Sequence, residues 1–152
     1  MAARFLIDTN VLVYPHDGRE PEKAARASTV LQALEARQSA ALPAQALSEF
    51  SSVLLRKLEP PVPALEVSAQ VERLMSIFPV LPLTPFVVLE AVRGVREHGF
   101  SFYDAQIWAV ARLAQIPVVL SEDFQDGATH EGVTFRDPFK EAFGITSIPP
   151  AP

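Results

Sequence analysis

Four acidic residues stand where a carboxylate can do chemistry: Asp8, Glu49, Asp104 and Asp123. Asp8 directly follows Phe5-Leu6-Ile7, a run that reads as a buried strand, and Asp123 follows Pro117 to Leu120, an apolar run of the same kind. An acid just beyond the carboxyl end of an inner parallel strand lies where open α/β sheets bind their ligands. Glu49 falls about two turns into the helix after the second strand, and Asp104 in the first turn of a helix opening near Ser101. Helices that follow strands start at that same edge of the sheet. Four carboxylates gathered there repel one another unless a cation sits among them. All-oxygen ligation suits magnesium or manganese rather than zinc. Such an ion polarises a phosphate and lowers the pKa of bound water.

Each acid also has a structural role open to it. Asp8-Thr9-Asn10 can turn the chain or cap the next helix. Ser101-Phe102-Tyr103-Asp104 fits a capping box, and an acid in the first turn suits the helix dipole. Glu49 can be a solvated residue beside the apolar positions Leu47, Phe50 and Val53, and Asp123 can serve a turn. Glu122 and Asp126 stand close by with the same choice open. The three histidines, His16, His98 and His130, are far apart and lack the pairing of a helical metal motif; they read as surface or loop residues. Ser48, Ser51 and Ser52 show no nucleophile elbow, and there is no glycine-rich phosphate loop.

The elements that position these residues alternate strand and helix. Val11 to Tyr14 predicts a short helical turn, and Pro21 to about Gln38 a helix striped by Ala24, Ala27, Leu31 and Leu34. Ser39 to Leu42 reads as a strand, and Pro43 opens a helix with Leu47, Phe50, Leu54 and Leu58 on one face. The prolines around Val62 stiffen the passage to a helix from Ala64 to Phe78. A short strand from Pro79 to Leu83 precedes a helix from Pro85 to about His98, which Gly99 stops. Ser101 to Gln115 predicts a largely buried helix, because beyond its first turn only Gln106, Arg112 and Gln115 are polar. Pro117 to Leu120 lacks alternation, as a central parallel strand does, and Val133 to Arg136 is a weaker strand. This order predicts an α/β fold around a mainly parallel sheet. Residues 1–139 are expected to form one domain, and the Gly- and Pro-bearing stretch 140–152 a loosely held tail.

The 152 residues suit one domain with a substantial core, and 49% hydrophobic content excludes a disordered chain. No apolar run reaches a membrane span, and Met1 to Arg4 lead straight into the first strand without a secretory signal. With no cysteine, a disulfide framework is excluded, and a cytoplasmic protein is expected. The net charge of -5 denies the chain the broad basic surface of a protein that coats nucleic acid. A nucleic-acid substrate would then need local positive charge: a metal ion, or a few side chains among Arg56, Lys57, Arg93, Arg96 and Arg112.

Four stretches in order, FLIDTNVLVY, PAQALSEFSSVLLRK, SFYDAQIWAVARLA and VVLSEDFQDG, resemble the successive motifs of PIN-domain proteins, most closely the VapC-type toxin ribonucleases. The resemblance runs from about Arg4 to Asp137. It implies a three-layer α/β/α sandwich and a nuclease that uses Mg2+ or Mn2+, usually on RNA. It also implies a cognate antitoxin as partner and a homodimer. Asp8, Glu49, Asp104 and Asp123 match the four family acids, as catalytic and metal-binding residues alike. Thr9 and Asn10 match the polar pair after the first acid, and Ser121 the hydroxyl residue of the last motif.

Other classes place acids at strand ends too. A receiver domain resembles adjacent early acids and a late strand-end lysine, but the early acid stands alone here and no lysine lies between Lys57 and Lys140. A dehalogenase-like phosphatase needs a second acid two residues after the first, where this chain has Asn10. A PIN fold serving only as an interaction module, and a metal-dependent nuclease outside any toxin–antitoxin pair, are the nearer alternatives. Flap-type nucleases resemble larger chains with more acids.

Overall fold

The computed structural model describes residues 3–149. Strands β1 (Phe5–Ile7), β2 (Ala40–Pro43), β3 (Val80–Leu81), β4 (Val118–Leu120), β5 (Thr129–His130) and β6 (Val133–Arg136) form one sheet in the order β3-β2-β1-β4-β6-β5. All neighbours pair in parallel except the β5–β6 hairpin. The helices are α1 (Thr9–Val13), α2 (Pro21–Arg37), α3 (Ala44–Arg56), α4 (Ala64–Ile77), α5 (Pro85–His98) and α6 (Phe102–Leu113). Among the described residues no helix is long and apolar enough to cross a membrane.

Successive residues of a strand point to opposite faces, and the core divides accordingly. Phe5 and Ile7 of β1, Ala40 and Leu42 of β2, and Val118 and Leu120 of β4 join a layer with α1 to α4. Leu6, Ala41 and Val119 join the opposite layer, with α5, α6, Val133 and Phe135. Both faces of the inner strands are therefore covered, which is why they read as unbroken apolar runs. The result is the three-layer α/β/α sandwich expected from the sequence. Helix α6 is buried from Ala105 to Ala111, as its composition predicts.

Several element ends differ from expectation. Pro43 closes β2 instead of opening α3, since its backbone is extended. Gln38 leaves α2 in a left-handed conformation at φ 48°, which ends the helix. Strand β3 is two residues long, and β5 was not evident because Thr129-His130 is too short to show a period. The loosely held tail is corrected over its described part. Phe143 and Ile148 are buried in the α1–α4 layer. The Arg26 guanidinium on α2 donates to the carbonyls of Pro138 at 2.7 Å and Phe143 at 2.6 Å. Phe143 and Ile148, with Ile145 partly buried beside them and a cation to satisfy the turning backbone, hold that stretch down. Pro150 to Pro152 lie outside the described residues.

Gly94 shows how closely α5 seats on α6. A Cβ there would lie 2.8 Å from Cζ3 of Trp108, whose side chain is wholly buried. Ala normally improves a helix interior by about 1 kcal/mol over Gly. Here overpacking against an immobile ring opposes it by about 1–3 kcal/mol. Gly94→Ala is therefore expected to lower the melting temperature, and a rise in thermal denaturation would refute the close seating.

Candidate active site

The strand order reverses direction about β1, with β2 on one side and β4 on the other. The crevice beyond the carboxyl ends of β1 and β4 is the switch point where such sheets take ligands. Asp8 lies there, 4% exposed, and caps α1: its Oδ1 accepts from the Thr9 backbone N–H at 2.7 Å. The other oxygen, Oδ2, accepts from the Ser121 hydroxyl at 2.8 Å. That hydroxyl also accepts from Asn10 Nδ2 and from the backbone N–H of Asp123, each at 3.1 Å. One donor and two acceptor functions of Ser121 are thus in use, and they lock the ends of β1 and β4 together. Asn10 Nδ2 further donates to Asp123 Oδ2 at 3.1 Å.

Glu49 on α3 joins from the other side. Its Oε2 accepts from the Thr9 hydroxyl at 2.8 Å and its Oε1 from Gln45 Nε2 at 2.9 Å. Gln45 Nε2 also donates to the backbone carbonyl of Tyr103 at 3.1 Å, and Gln45 Oε1 accepts from Gln106 at 2.8 Å. This buried amide pair ties α3 to the first turn of α6, where Asp104 stands. The expected capping box is not formed: Ser101 occupies the N-cap position but makes no side-chain cap bond. Asp104 is left without a capping role, and its charge bears on Asp123. The four acids picked from the sequence are therefore brought to one edge of the sheet.

Their electrostatics follow from burial. Loss of water raises the Asp8 carboxyl from 3.8 to about 6. Hydrogen bonds from Ser121 and Thr9 oppose that rise, and the charges of Asp123 and Glu49 add to it. Asp123 is raised too, first by desolvation and then by Asp104, Glu122 and Glu49, against the pull of Asn10. Among the described residues no lysine or arginine pairs with any of the four. A cluster of acids with no cation is the donor set that a hard divalent ion compensates. As they stand, no three acidic or histidine side chains among the described residues converge closely enough to enclose an ion. Magnesium needs no such cage, since it usually keeps several waters and takes one or two carboxylates. The residues present fit such an ion on the chemistry of their donors.

The neighbouring acids are otherwise engaged. Glu122 pairs with Lys23 at 2.8 Å and accepts from the Tyr14 hydroxyl, while Asp126 pairs with Arg136 at 3.1 Å and accepts from the Asp137 N–H. The proposed local cations mostly lie elsewhere. Arg93 and Arg112 face Glu90 and Glu131 beside the β5–β6 hairpin, at the opposite edge of the sheet, and Arg96 pairs with Glu97. Arg56 alone among them bonds toward the site, donating to the Ser52 hydroxyl at 2.5 Å on α3. His16 lies in a short turn, exposed, with its ring edge-on to Phe50. His98 and His130 are half-buried and pack together, 4.8 Å between ring centroids, beside Phe100. The amide pair Gln45 and Gln106 was not singled out as functional from the sequence, and Thr9 stood there as a motif match without a role. A polar residue inside the otherwise apolar α6 is the signal that marks Gln106.

An α/β/α sandwich with four uncompensated carboxylates at the switch point of a parallel sheet defines an acid-centred α/β class. Within it, the chain belongs to the PIN-domain family: the model of the PIN domain matches residues 5–125. Three solved structures are similar in fold. A protein from Pyrobaculum aerophilum is 24% identical, with TM-score 0.56, over 81% of this chain and 76% of that one. A toxin–antitoxin complex from Klebsiella pneumoniae is 23% identical, with TM-score 0.58, over 88% and 96%. VapBC2 from Rickettsia felis, bound to a DNA fragment from its promoter, is 11% identical, with TM-score 0.60, over 87% and 96%. No curated protein matches the chain.

Proposed function

We propose that this chain is a divalent-metal-dependent endoribonuclease acting as the toxin of a toxin–antitoxin pair. The observation that carries the reading is the acid cluster: Asp8 buried at the switch point, with Glu49 and Asp123 beside it, Asp104 beside Asp123, and no side-chain cation paired to them among the described residues. Magnesium or manganese would be held by one or two carboxylates of this cluster, Asp8, Asp104 or Asp123, and would supply the positive charge that polarises a phosphodiester and lowers the pKa of water. The chain's own residues do the rest. Thr9 and Gln45 fix both oxygens of Glu49, which orients the attacking water and takes its proton. Ser121 and Asn10 hold Asp8 and Asp123 at a fixed separation before any ligand arrives. The departing oxygen leaves opposite the attack and takes a proton from solvent.

One of the similar folds comes from a complex described as a toxin–antitoxin complex, which favours an antitoxin partner. Pairing of two copies accords with α5, where Phe86, Leu89 and Val92 are 76%, 70% and 53% exposed. Isolated apolar residues on a surface need no explanation, but a row of them along one helix suits an interface. Purified protein should cut RNA with magnesium or manganese and stop when a chelator removes the ion. Cleavage that persists in chelator would overturn the metal-dependent mechanism.

A further inference from the structure

A cleft of about 560 Å³ opens directly beside Glu49, between α3 and the start of α6. Its walls are Ser48, Glu49 and Ser52 on one side and Leu83 and Tyr103 on the other, with Gln106 at its base. Three features distinguish it from an ordinary surface groove. First, Tyr103 is 65% exposed although its backbone carbonyl is pinned by Gln45. It is an aromatic face on a fixed mount, flanked by Phe102 edge-on at 5.4 Å. Second, Gln106 is 4% exposed, yet only its Nε2 is bonded, to Gln45. Its Oε1 takes no donor from the described residues and is not sealed from the cleft. The Ser48 hydroxyl is likewise exposed and unbonded among the described residues. Third, Glu49 is the charged residue of the lining, and the next charge along α3, Arg56, stands outside it. Arg56 lies one turn beyond Ser52, with no carboxylate partner among the described residues.

A flat ring for stacking, neutral acceptors and hydroxyls beneath it, and a cation further along match the parts of a nucleotide. We infer that this cleft is a nucleobase subsite, in which an unpaired base next to the scissile phosphate stacks on Tyr103 and meets the free Gln106 Oε1 and Ser48 hydroxyl. This rests on the nuclease reading above. The adjoining phosphate lies toward Arg56. A paired base cannot enter, because it is stacked within its helix and its Watson–Crick edge is occupied. The cleft thus selects single-stranded RNA even though the chain as a whole repels phosphate.

The test uses the intact protein with manganese, and an RNA strand carrying 2-aminopurine as a fluorescent base at each position in turn. Rapid mixing reads binding before cleavage, and cleavage is followed separately. Wild type should quench the probe at one position adjacent to the cut. Tyr103→Ala should lose that quench and raise KM by about fivefold or more, as base–aromatic stacking of roughly 1–3 kcal/mol implies. Tyr103→Phe should keep both, and neither variant should alter the melting temperature, since the side chain is largely solvated. An abasic nucleotide at the quenched position should abolish the difference between wild type and Tyr103→Ala. Equal KM and equal quench in Tyr103→Ala would overturn the subsite while leaving the nuclease intact. Quenching through Tyr103 without any cleavage would uphold the subsite and overturn the nuclease. Neither quench nor cleavage in wild type would remove both.

Discussion

Asp8→Asn is expected to reduce RNA cleavage by several orders of magnitude while raising the stability of the metal-free protein. The two effects share one cause. Asp8 is the most buried of the four acids, and its carboxyl is raised to about 6 by loss of water. Ionising it in the folded chain is therefore harder than in the unfolded chain, where it titrates near 3.8. A shift of roughly 2 units corresponds to about 3 kcal/mol lost at neutral pH. The asparagine retains the cap on α1, since its Oδ1 can still accept from the Thr9 N–H. The charge-assisted bond from Ser121 opposes the rise and is already contained in that net shift. The balance at pH 7 is a net gain.

The pH dependence fixes the sign independently. A group whose folded pKa lies above its unfolded value contributes stability below the unfolded value and loses it as pH rises through the folded one. Wild type should thus lose stability relative to Asp8→Asn between about pH 4 and pH 6, with a constant difference above that range. Added manganese should stabilise wild type through binding and stabilise the variant less. Melting temperatures across pH, with and without manganese, read all of this. A variant that keeps full activity and the full manganese shift would reduce Asp8 to a helix cap and remove the ground for the enzymatic reading.

The acids were legible in the sequence because each follows an element whose period is unmistakable. Asp8 and Asp123 come after apolar runs that can only be inner strands, and Glu49 and Asp104 sit at known depths in amphipathic helices. Topology then does the gathering. What the sequence leaves dark is how the polar groups link the acids, Thr9, Asn10 and Ser121 being named there as motif matches alone, because the deciding contacts span long separations in the chain. Ser121 meets Asp8 across 113 residues and Gln106 meets Gln45 across 61. Propensity carries no such information. The capping box at Ser101 shows the converse error: the residue types fit the pattern, yet Ser101 makes no side-chain cap bond. The tail misled for a similar reason. Gly and Pro suggested a loose end, but burial of Phe143 and Ile148 depends on a gap in the α1–α4 layer that no local pattern reports. The cations misled because helix periodicity gives a face, not a partner. Arg93 and Arg112 were drawn to Glu90 and Glu131 at the far edge of the sheet.

Thr9→Val should weaken cleavage by about 10–100-fold, the range seen when a group that orients metal-binding side chains is lost. Valine keeps the shape of threonine and removes only the hydroxyl that donates to Glu49 Oε2. The backbone N–H that caps onto Asp8 is untouched, so the carboxyl of Asp8 and the start of α1 stay as they are. Glu49 then rests on Gln45 alone and swings about that bond. The acid keeps its charge and loses its direction. The measurable consequence falls on reaction and ion affinity instead of on folding, since an exchanged hydrogen bond of this kind contributes only about 1 kcal/mol to stability. Thr9→Ser restores the donor without the methyl group and should return most of the activity. Manganese titration, cleavage rate and melting temperature for Thr9→Val and Thr9→Ser separate the cases. Should both variants cleave as wild type does, Glu49 would need no orienting partner, and the proton-accepting role would pass from it to another of the four acids. Should both fail alike with lowered melting temperatures, Thr9 would be a folding residue whose bond to Glu49 is incidental.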